Sequence, residues 1–218
     1  MRCRVCKSNN TVEIFNLGKQ PLANKYPKNR KEIKNEKKYQ LSVYFCKNCK
    51  TAQIKKLISR KLMFEDYYYL SSVNQGLRVH FQKLAKKLKR YDFVVDIGSN
   101  DGILLEPLIK NNINCLGIDP SKNVGKIAND RGFLTEIGFF NRKIINRILK
   151  RYPKPDALVA SSVVTHLEKP VEFAKNGAQV TSTDLGEDQI NLTKLNFEIK
   201  NLKYENIEIA NAENLQFN

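Results

Sequence analysis

The residues Val94-Val95-Asp96-Ile97-Gly98-Ser99-Asn100-Asp101-Gly102 leave this chain few folds to adopt. An apolar run from Phe93 to Ile97, too short for a helix, breaks into a turn whose glycines permit close backbone approach. A helical pattern over Ile103 to Asn111 follows at once. The next apolar run, Cys115-Leu116-Gly117-Ile118, closes on Asp119-Pro120. Helices are expected over Asn123 to Arg131 and Arg142 to Arg151, then another buried strand at Ala157 to Ala160. Strands alternating with helices predict a parallel sheet covered on both faces, an α/β domain with a Rossmann-like core.

The turn reads Asp-x-Gly-x-x-x-Gly, not the Gly-x-Gly-x-x-Gly of dinucleotide sites. Seventeen residues separate Asp101 from Asp119. An acid closing the second strand is placed to accept hydrogen bonds from the two hydroxyls of a ribose. An acid inside the first loop suits a cationic ligand with an amino-acid tail better than a pyrophosphate, which points to S-adenosylmethionine. The plainer alternative is a Gly/Asn turn that only joins strand to helix.

Four of the five cysteines fall in two pairs, Cys3-x-x-Cys6 and Cys46-x-x-Cys49, with 39 residues between the pairs. Two residues between thiolates let a tight turn aim both sulfurs at one ion, and two such knuckles complete a tetrahedral Zn²⁺ shell. An all-cysteine shell has no position for a reacting water, so the metal is expected to be structural. The zinc would hold together a lobe of about fifty residues too small to be stable by core burial alone. The fifth cysteine, Cys115, lies in an apolar strand and reads as core.

Composition sets the wider bounds. At 41% apolar and 28% charged residues over 218 positions, the chain is globular rather than disordered. No stretch approaches the roughly 18 uninterrupted apolar residues of a membrane span, and the N-terminus has no apolar run of the secretory type. The expected location is cytoplasmic, where paired cysteines more often mean metal than disulfide. The formal charge of +16 is unevenly held. Residues 1–91 carry 23 Lys and Arg against 5 Asp and Glu, a net of +18, and residues 92–218 a net of −2. A basic lobe attracts any polyanion, a diphosphate-bearing small molecule as readily as a nucleic acid.

These patterns divide the chain into four parts. Residues 1–54 form a β-rich zinc-binding lobe, with β-like runs at Val12 to Leu17, Tyr39 to Phe45 and Ala52 to Ile54. Residues 55–91 read as a helical connector with an apolar stripe of Leu77, Phe81, Leu84, Ala85 and Leu88. Residues 92–170 form the cofactor-binding half. Residues 171–218 repeat weakly the order helix (Val171 to Asn176), strand (Gln179 to Thr183) closing on Asp184, helix (Glu187 to Asn201), strand (Ile207 to Ala210). No glycine turn precedes this last part, and its first strand is expected to dock beside Ala157–Ala160 with Ile207–Ala210 following.

Six strings in one order over residues 1–168 carry a resemblance. They are Cys3-Arg4-Val5-Cys6; Leu17-Gly18-Lys19-Gln20-Pro21-Leu22-Ala23-Asn24; Cys46-Lys47-Asn48-Cys49; Asp66-Tyr67-Tyr68-Tyr69-Leu70-Ser71-Ser72-Val73; Asp96 to Gly102; and Gly117-Ile118-Asp119-Pro120-Ser121. In these the chain resembles the sugar C-methyltransferases that act on nucleotide-linked keto-deoxysugars, which join a zinc-binding lobe to a class I S-adenosylmethionine-dependent methyltransferase domain. The resemblance implies that Asp96, Gly98, Asn100 and Gly102 line the methionine and ribose end of the cofactor, Asp119 the ribose hydroxyls, and Phe139 and Phe140 the adenine. It implies an enolate reaction in which a base removes a proton beside a carbonyl and the carbanion takes the methyl group. His166 falls where the family keeps a histidine facing the substrate; it is either that base or a helix-start residue without a role. Tyr67 and Tyr69 either hydrogen-bond the sugar or enolate oxygen or pack between lobes. His80, in the helical stripe, reads as packing or surface.

Beyond this the resemblance changes. The family continues with further strands, a Tyr-His-Glu-His segment and another domain, whereas from Val171 this chain resembles the middle of a different class I methyltransferase. A truncated, incomplete methyltransferase sheet is therefore expected, with a nucleotide-sugar substrate, S-adenosylmethionine and structural Zn²⁺. Its rivals are a non-catalytic cofactor-binding protein and a zinc-ribbon module that binds nucleic acid.

Overall fold

A computed structural model describes residues 1–23, 25–163, 181–184, 187–199, 201–204 and 206–209. The chain divides into two compact units. One holds residues 1–23 and 27–58 with the described residues beyond 180; the other holds residues 25–26 and 59–163.

The first unit opens with β1 (Thr11–Gln20), α1 (Arg30–Lys34), β2 (Tyr39–Cys46) and β3 (Ala52–Ile54). The strands form an antiparallel sheet in the order β1-β2-β3. β1 runs past the expected Leu17 because the chain bulges there. Gly18 sits at φ +67°, and its N–H donates to Asn16 Oδ1 at 2.8 Å while the register shifts between Asn16 and Lys19. α1 starts on the Asn29 side chain, which accepts from Glu32 N–H, and Glu32 in turn accepts from Lys28 N–H at 2.8 Å. The buried cluster of this lobe consists of Cys3, Cys46 and Cys49, with Val5 and Cys6 packed against it.

The second unit comprises α2 (Arg60–Phe64), a 3₁₀ turn at Ser71–Val73, α3 (Gln75–Lys87), β4 (Phe93–Ile97), α4 (Leu105–Lys110), β5 (Asn114–Asp119), α5 (Lys122–Asp130), β6 (Thr135–Ile137), α6 (Arg142–Ile148) and β7 (Ala157–Val159). All pairings in its sheet are parallel, in the order β6-β5-β4-β7. The chain thus winds outward from β4 to β6, then crosses to the other side of β4. Such a reversal opens a crevice at the carboxyl ends of the central strands, where α/β sheets bind ligands. Every residue of β4 is buried, as a central parallel strand requires. One face of the sheet supplies Phe93, Val95, Leu116 and Ile118 to a core closed by Ile144 and Ile148 of α6. Each such side chain contributes about 1.5–3 kcal/mol by burial.

Three points differ from the sequence reading. The helical connector over 55–91 is broken: α2 and α3 are separated by an extended stretch and a 3₁₀ turn, and Asn74 restarts the chain as the N-cap of α3, accepting from Leu77 N–H at 3.1 Å. The apolar stripe itself holds, since Phe81, Leu84, Ala85 and Leu88 are buried. The strand at Ala157 to Ala160 is not buried. β7 pairs only with β4 among the described strands and leaves Leu158 46% exposed at the sheet edge. β6 is three residues long, and no apolar run marks it.

Beyond residue 180 the first unit contains β8 (Thr181–Asp184), α7 (Glu187–Ile199) and β9 (Asn206–Ile209). β8 and β9 pair in parallel from Thr181↔Asn206 to Asp184↔Ile209, with α7 as the crossover. The expected succession of this strand by Ile207–Ala210 corresponds to β9: among the described residues β8 pairs with β9, because the local crossover supplies a partner within the fragment. The expected helix at Val171 to Asn176 lies outside the described residues.

Candidate functional site

The two cysteine knuckles are built alike. Lys7 N–H donates to Cys3 C=O at 3.1 Å and Lys50 N–H to Cys46 C=O at 2.8 Å, and both lysines adopt left-handed backbone, φ 63° and 59°. Each knuckle thereby closes a turn immediately after its second cysteine. The four Sγ atoms lie within 4.8 Å of one another, with Cys3–Cys49 and Cys6–Cys46 each at 3.6 Å. Tetrahedral zinc with metal–sulfur distances of about 2.3 Å places its sulfurs about 3.8 Å apart, so these residues fit the ion. Outer partners are also in place: Gln53 Nε2 donates to Cys3 Sγ at 3.2 Å and Asn48 Nδ2 to Cys6 Sγ at 3.7 Å. The Ser8 backbone hydrogen bond, opposed by burial and reinforced by Asn48, brings the Cys6 thiol down to about 6. Burial above all pushes Cys49 up to about 11.

In the second unit, the turn after β4 places Gly98 at φ +78°, Asn100 at +49° and Gly102 at +86°. Asparagine tolerates this region better than other side chains. A Cβ on Gly98 would stand under 3.0 Å from Val163 Cγ2, and one on Gly102 would stand equally close to Phe133 Cδ2, so neither position has room for one. Asp96 is 3% exposed in the middle of β4's buried row. Burial, then the neighbouring Asp119, pushes its carboxyl up to about 7. Asp119 is also raised, by burial first, although its oxygens are engaged. Oδ2 accepts from Asn100 N–H at 2.9 Å and Oδ1 from Ser121 N–H at 2.8 Å. A carboxylate oxygen accepts more than one hydrogen bond, so capacity remains on both for a vicinal diol. Ser99 Oγ is buried without a hydrogen-bond partner among the described residues.

A strap of backbone, residues 64–72, runs along these same loops. Phe64 C=O accepts from Ser121 Oγ at 2.7 Å, and Glu65 C=O accepts from Lys122 N–H at 3.0 Å. The Asn123 amide pairs with both backbone groups of Tyr67, accepting from its N–H at 3.1 Å and donating to its C=O at 2.6 Å. Asn100 does the same two residues on, donating to Tyr69 C=O at 3.1 Å and accepting from Ser71 N–H at 2.8 Å. Asp101, with no exposed surface, accepts from Ser72 N–H at 3.1 Å, from the Ser72 hydroxyl, and from Arg131 at 3.1 Å. Sequence reasoning missed Ser72, Asp101, Ser121, Asn123 and Arg131 as parts of this arrangement. Apart from the Ser121 bond to Asp119, the bonds that join them to the strap and to one another span 29 or more positions, and no local pattern marks them.

The remaining candidates are placed as follows. Phe140 packs against the core cluster that lies between the sheet and α6, and Phe139 lies under the Arg60 guanidinium, 5.1 Å from ring centroid to Cζ. Tyr69 is 41% exposed, Tyr67 half-buried, and Tyr68 meets Tyr26 edge-on at 5.8 Å. His80 contacts Phe81 on α3, with ring centroids 5.0 Å apart. Cys115 is half-buried in β5, and burial with the nearby Asp96 pushes it up to about 11. His166 lies outside the described residues.

The second unit thus presents a parallel α/β sheet with a glycine turn after its first strand and a buried acid closing the next, and the first unit holds a four-cysteine cluster. The chain is similar in part to known proteins. Residues 3–64 match the family described as "Putative zinc binding domain". The C-methyltransferase NovU of Streptomyces niveus is 28% identical over 156 residues, 69% of this chain and 37% of that protein, so the chain spans little more than a third of that relative. Among solved structures, similarity extends to a SAM-dependent methyltransferase from Archaeoglobus fulgidus, at 24% identity over 43% of each chain with a TM-score of 0.31. It extends also to the plantazolicin methyltransferase BpumL in complex with SAH, at 16% identity over 57% of this chain and 58% of that one, TM-score 0.39. Among the described residues, no helix is long and apolar enough to cross a membrane.

Proposed function

We propose that this chain binds S-adenosylmethionine and serves the C-methylation of a nucleotide-linked keto-deoxysugar, with a structural Zn²⁺ on Cys3, Cys6, Cys46 and Cys49. One observation carries the cofactor reading: two buried carboxylates, Asp96 and Asp119, stand on adjacent strands beside a turn with Gly98 and Gly102 in left-handed backbone. Buried acids held above their ordinary range are costly unless a partner compensates them. A ligand that brings an ammonium group and a ribose diol compensates both. In this reading Asp96 faces the amino-acid tail, Asp119 holds the ribose, Gly98 and Gly102 keep the backbone open, and Phe139 and Phe140 neighbour the adenine. The Asn100 side chain is engaged with the strap and its backbone N–H with Asp119, so its share in cofactor binding is to hold that carboxylate in place.

When bound, the cofactor supplies an electrophilic methyl group on a sulfonium. His166 is assigned the removal of the proton beside the sugar carbonyl, and Tyr67 and Tyr69 the sugar or enolate oxygen. The basic residues 1–91 attract the diphosphate of the nucleotide. The parts work as a zinc lobe (1–54), a connector (55–91), a cofactor half (92–170) and an α/β fragment (171–218). The reduced cysteine cluster suits a cytoplasmic location. Similarity to NovU over 69% of this chain supports the methyltransferase assignment. Calorimetric titration with S-adenosylmethionine and S-adenosylhomocysteine tests it: wild type binds both and Asp119→Ala loses binding. Binding without methyl transfer to nucleotide keto-sugars selects a non-catalytic cofactor-binding protein. Absence of binding, with salt-sensitive retention of nucleic acid, selects the zinc-ribbon reading.

A further inference from the structure

The strap and the cofactor turn share one residue. Asn100 donates its backbone N–H to Asp119 Oδ2, and its side-chain amide donates to Tyr69 C=O and accepts from Ser71 N–H. Its neighbour Asp101 holds Ser72 through two hydrogen bonds. On the other side of Asp119, Ser121 gives its N–H to that carboxylate and its hydroxyl to Phe64 C=O. The carboxylate assigned to the ribose is therefore flanked by two residues, each with its backbone on Asp119 and its side chain on the strap. Any shift of the turn or of the β5–α5 loop that accompanies loading of Asp119 must be felt along residues 64–72. The reverse holds as well, because coupling between two binding events is reciprocal.

We propose that residues 64–72 form a clasp whose docking is coupled to occupancy of the Asp119 site, with Asn123, Asn100 and Asp101 as its positioning residues. The clasp carries Tyr67 and Tyr69, so a bound methyl donor fixes the segment assigned to meet the sugar. This inference rests on the cofactor reading above. Asn123 is the cleanest probe: its amide holds Tyr67 from both sides, and it is given no role toward the donor. Loops that close over a bound ligand commonly gate later steps in this manner.

The test uses the full chain, with S-adenosylhomocysteine as ligand, amide hydrogen exchange on the clasp and calorimetry for affinity. Saturating S-adenosylhomocysteine is expected to slow exchange at the Ser71 and Ser72 amides by about tenfold, and Asn123→Ala to weaken its affinity by a similar factor. Circular dichroism and zinc content of the variant should match wild type, and exchange in β4 should not change. Ser72→Ala, which removes the hydroxyl's bonds with Asp101 and Arg131 and keeps the Ser72 N–H on Asp101, should move affinity the same way by a smaller factor and stands in if Asn123→Ala misfolds. The coupling is overturned if the variants bind S-adenosylhomocysteine as tightly as wild type, or if ligand leaves the Ser71 and Ser72 amides unprotected. A wild-type chain that binds no S-adenosylhomocysteine overturns the cofactor reading itself, a result the wild-type titration alone distinguishes.

Discussion

Replacing Asp96 by asparagine should stabilise this protein at pH 8 and leave it almost unaffected at pH 4. Asp96 is buried in β4, and its carboxyl is moved from an ordinary 3.8 to about 7, by burial first and Asp119 second. Below pH 4 the group is protonated whether the chain is folded or not. Between pH 4 and 7 the unfolded chain releases that proton and the folded chain keeps it, so stability falls as pH rises. Above 7 the deficit is constant, at most about 4 kcal/mol at 1.36 kcal/mol per pH unit. The amide introduced by Asp96→Asn has no charge to desolvate, so the advantage of the variant should grow from near zero at pH 4 to about 1–3 kcal/mol at pH 8. Urea unfolding curves at a series of pH values measure this directly. The same variant should bind S-adenosylhomocysteine more weakly, since Asp96 is assigned to the ammonium of the amino-acid tail. A constant or negative stability difference across this pH range would refute the argument that Asp96 is a strained buried acid.

Three further outcomes follow from the geometry. The purified chain should carry one zinc, and its chelation should unfold the β1–β3 sheet, whose buried cluster is the cysteines themselves, while β4 amides stay protected from exchange. Gly102→Ala should cost about 2–3 kcal/mol in urea unfolding, because the new Cβ would collide with the Phe133 ring at φ +86°. Asp101→Ala should cost about 1–3 kcal/mol by leaving the Ser72 N–H and hydroxyl without their buried acceptor, whereas Asp130→Ala, which breaks only the exposed pair with Lys126, should stay within about 0.5 kcal/mol. Equal losses in the last two would show that the Asp101 cluster does not hold the clasp.

The features legible in the sequence are those whose cause is local. Phe93 to Ile97 reads as a buried strand because each residue is apolar except Asp96, and its bounds match β4. The Cys-x-x-Cys spacing carries its own geometry, so the convergence of four sulfurs follows from it. β6 is illegible because Thr135-Glu136-Ile137 has no apolar run; it is a strand because β5 offers its edge from Gly117 to Asp119. The break between α2 and α3 is equally silent. Tyr67 to Ser72 leave the helix since Asn123, Asn100 and Asp101, up to 56 positions away, supply the hydrogen bonds that a helix would otherwise provide. Asp96 and Asp119 are legible as acids at the right spacing, but their mutual electrostatic pressure belongs to the paired strands and is invisible in either string alone.

Most hydrogen bonds that fasten residues 64–72 reach peptide groups; from the side-chain side the Ser72 hydroxyl bonds Asp101 and Glu65 pairs with Lys122. The aromatic identities of Tyr67, Tyr68 and Tyr69 are thus not read by these bonds. The tether at Tyr69 acts on its main chain and the residue is 41% exposed, so a substitution there leaves the tether intact. Descendants of this scaffold have room to meet new acceptor molecules by altering that ring while the mount beneath it keeps its shape.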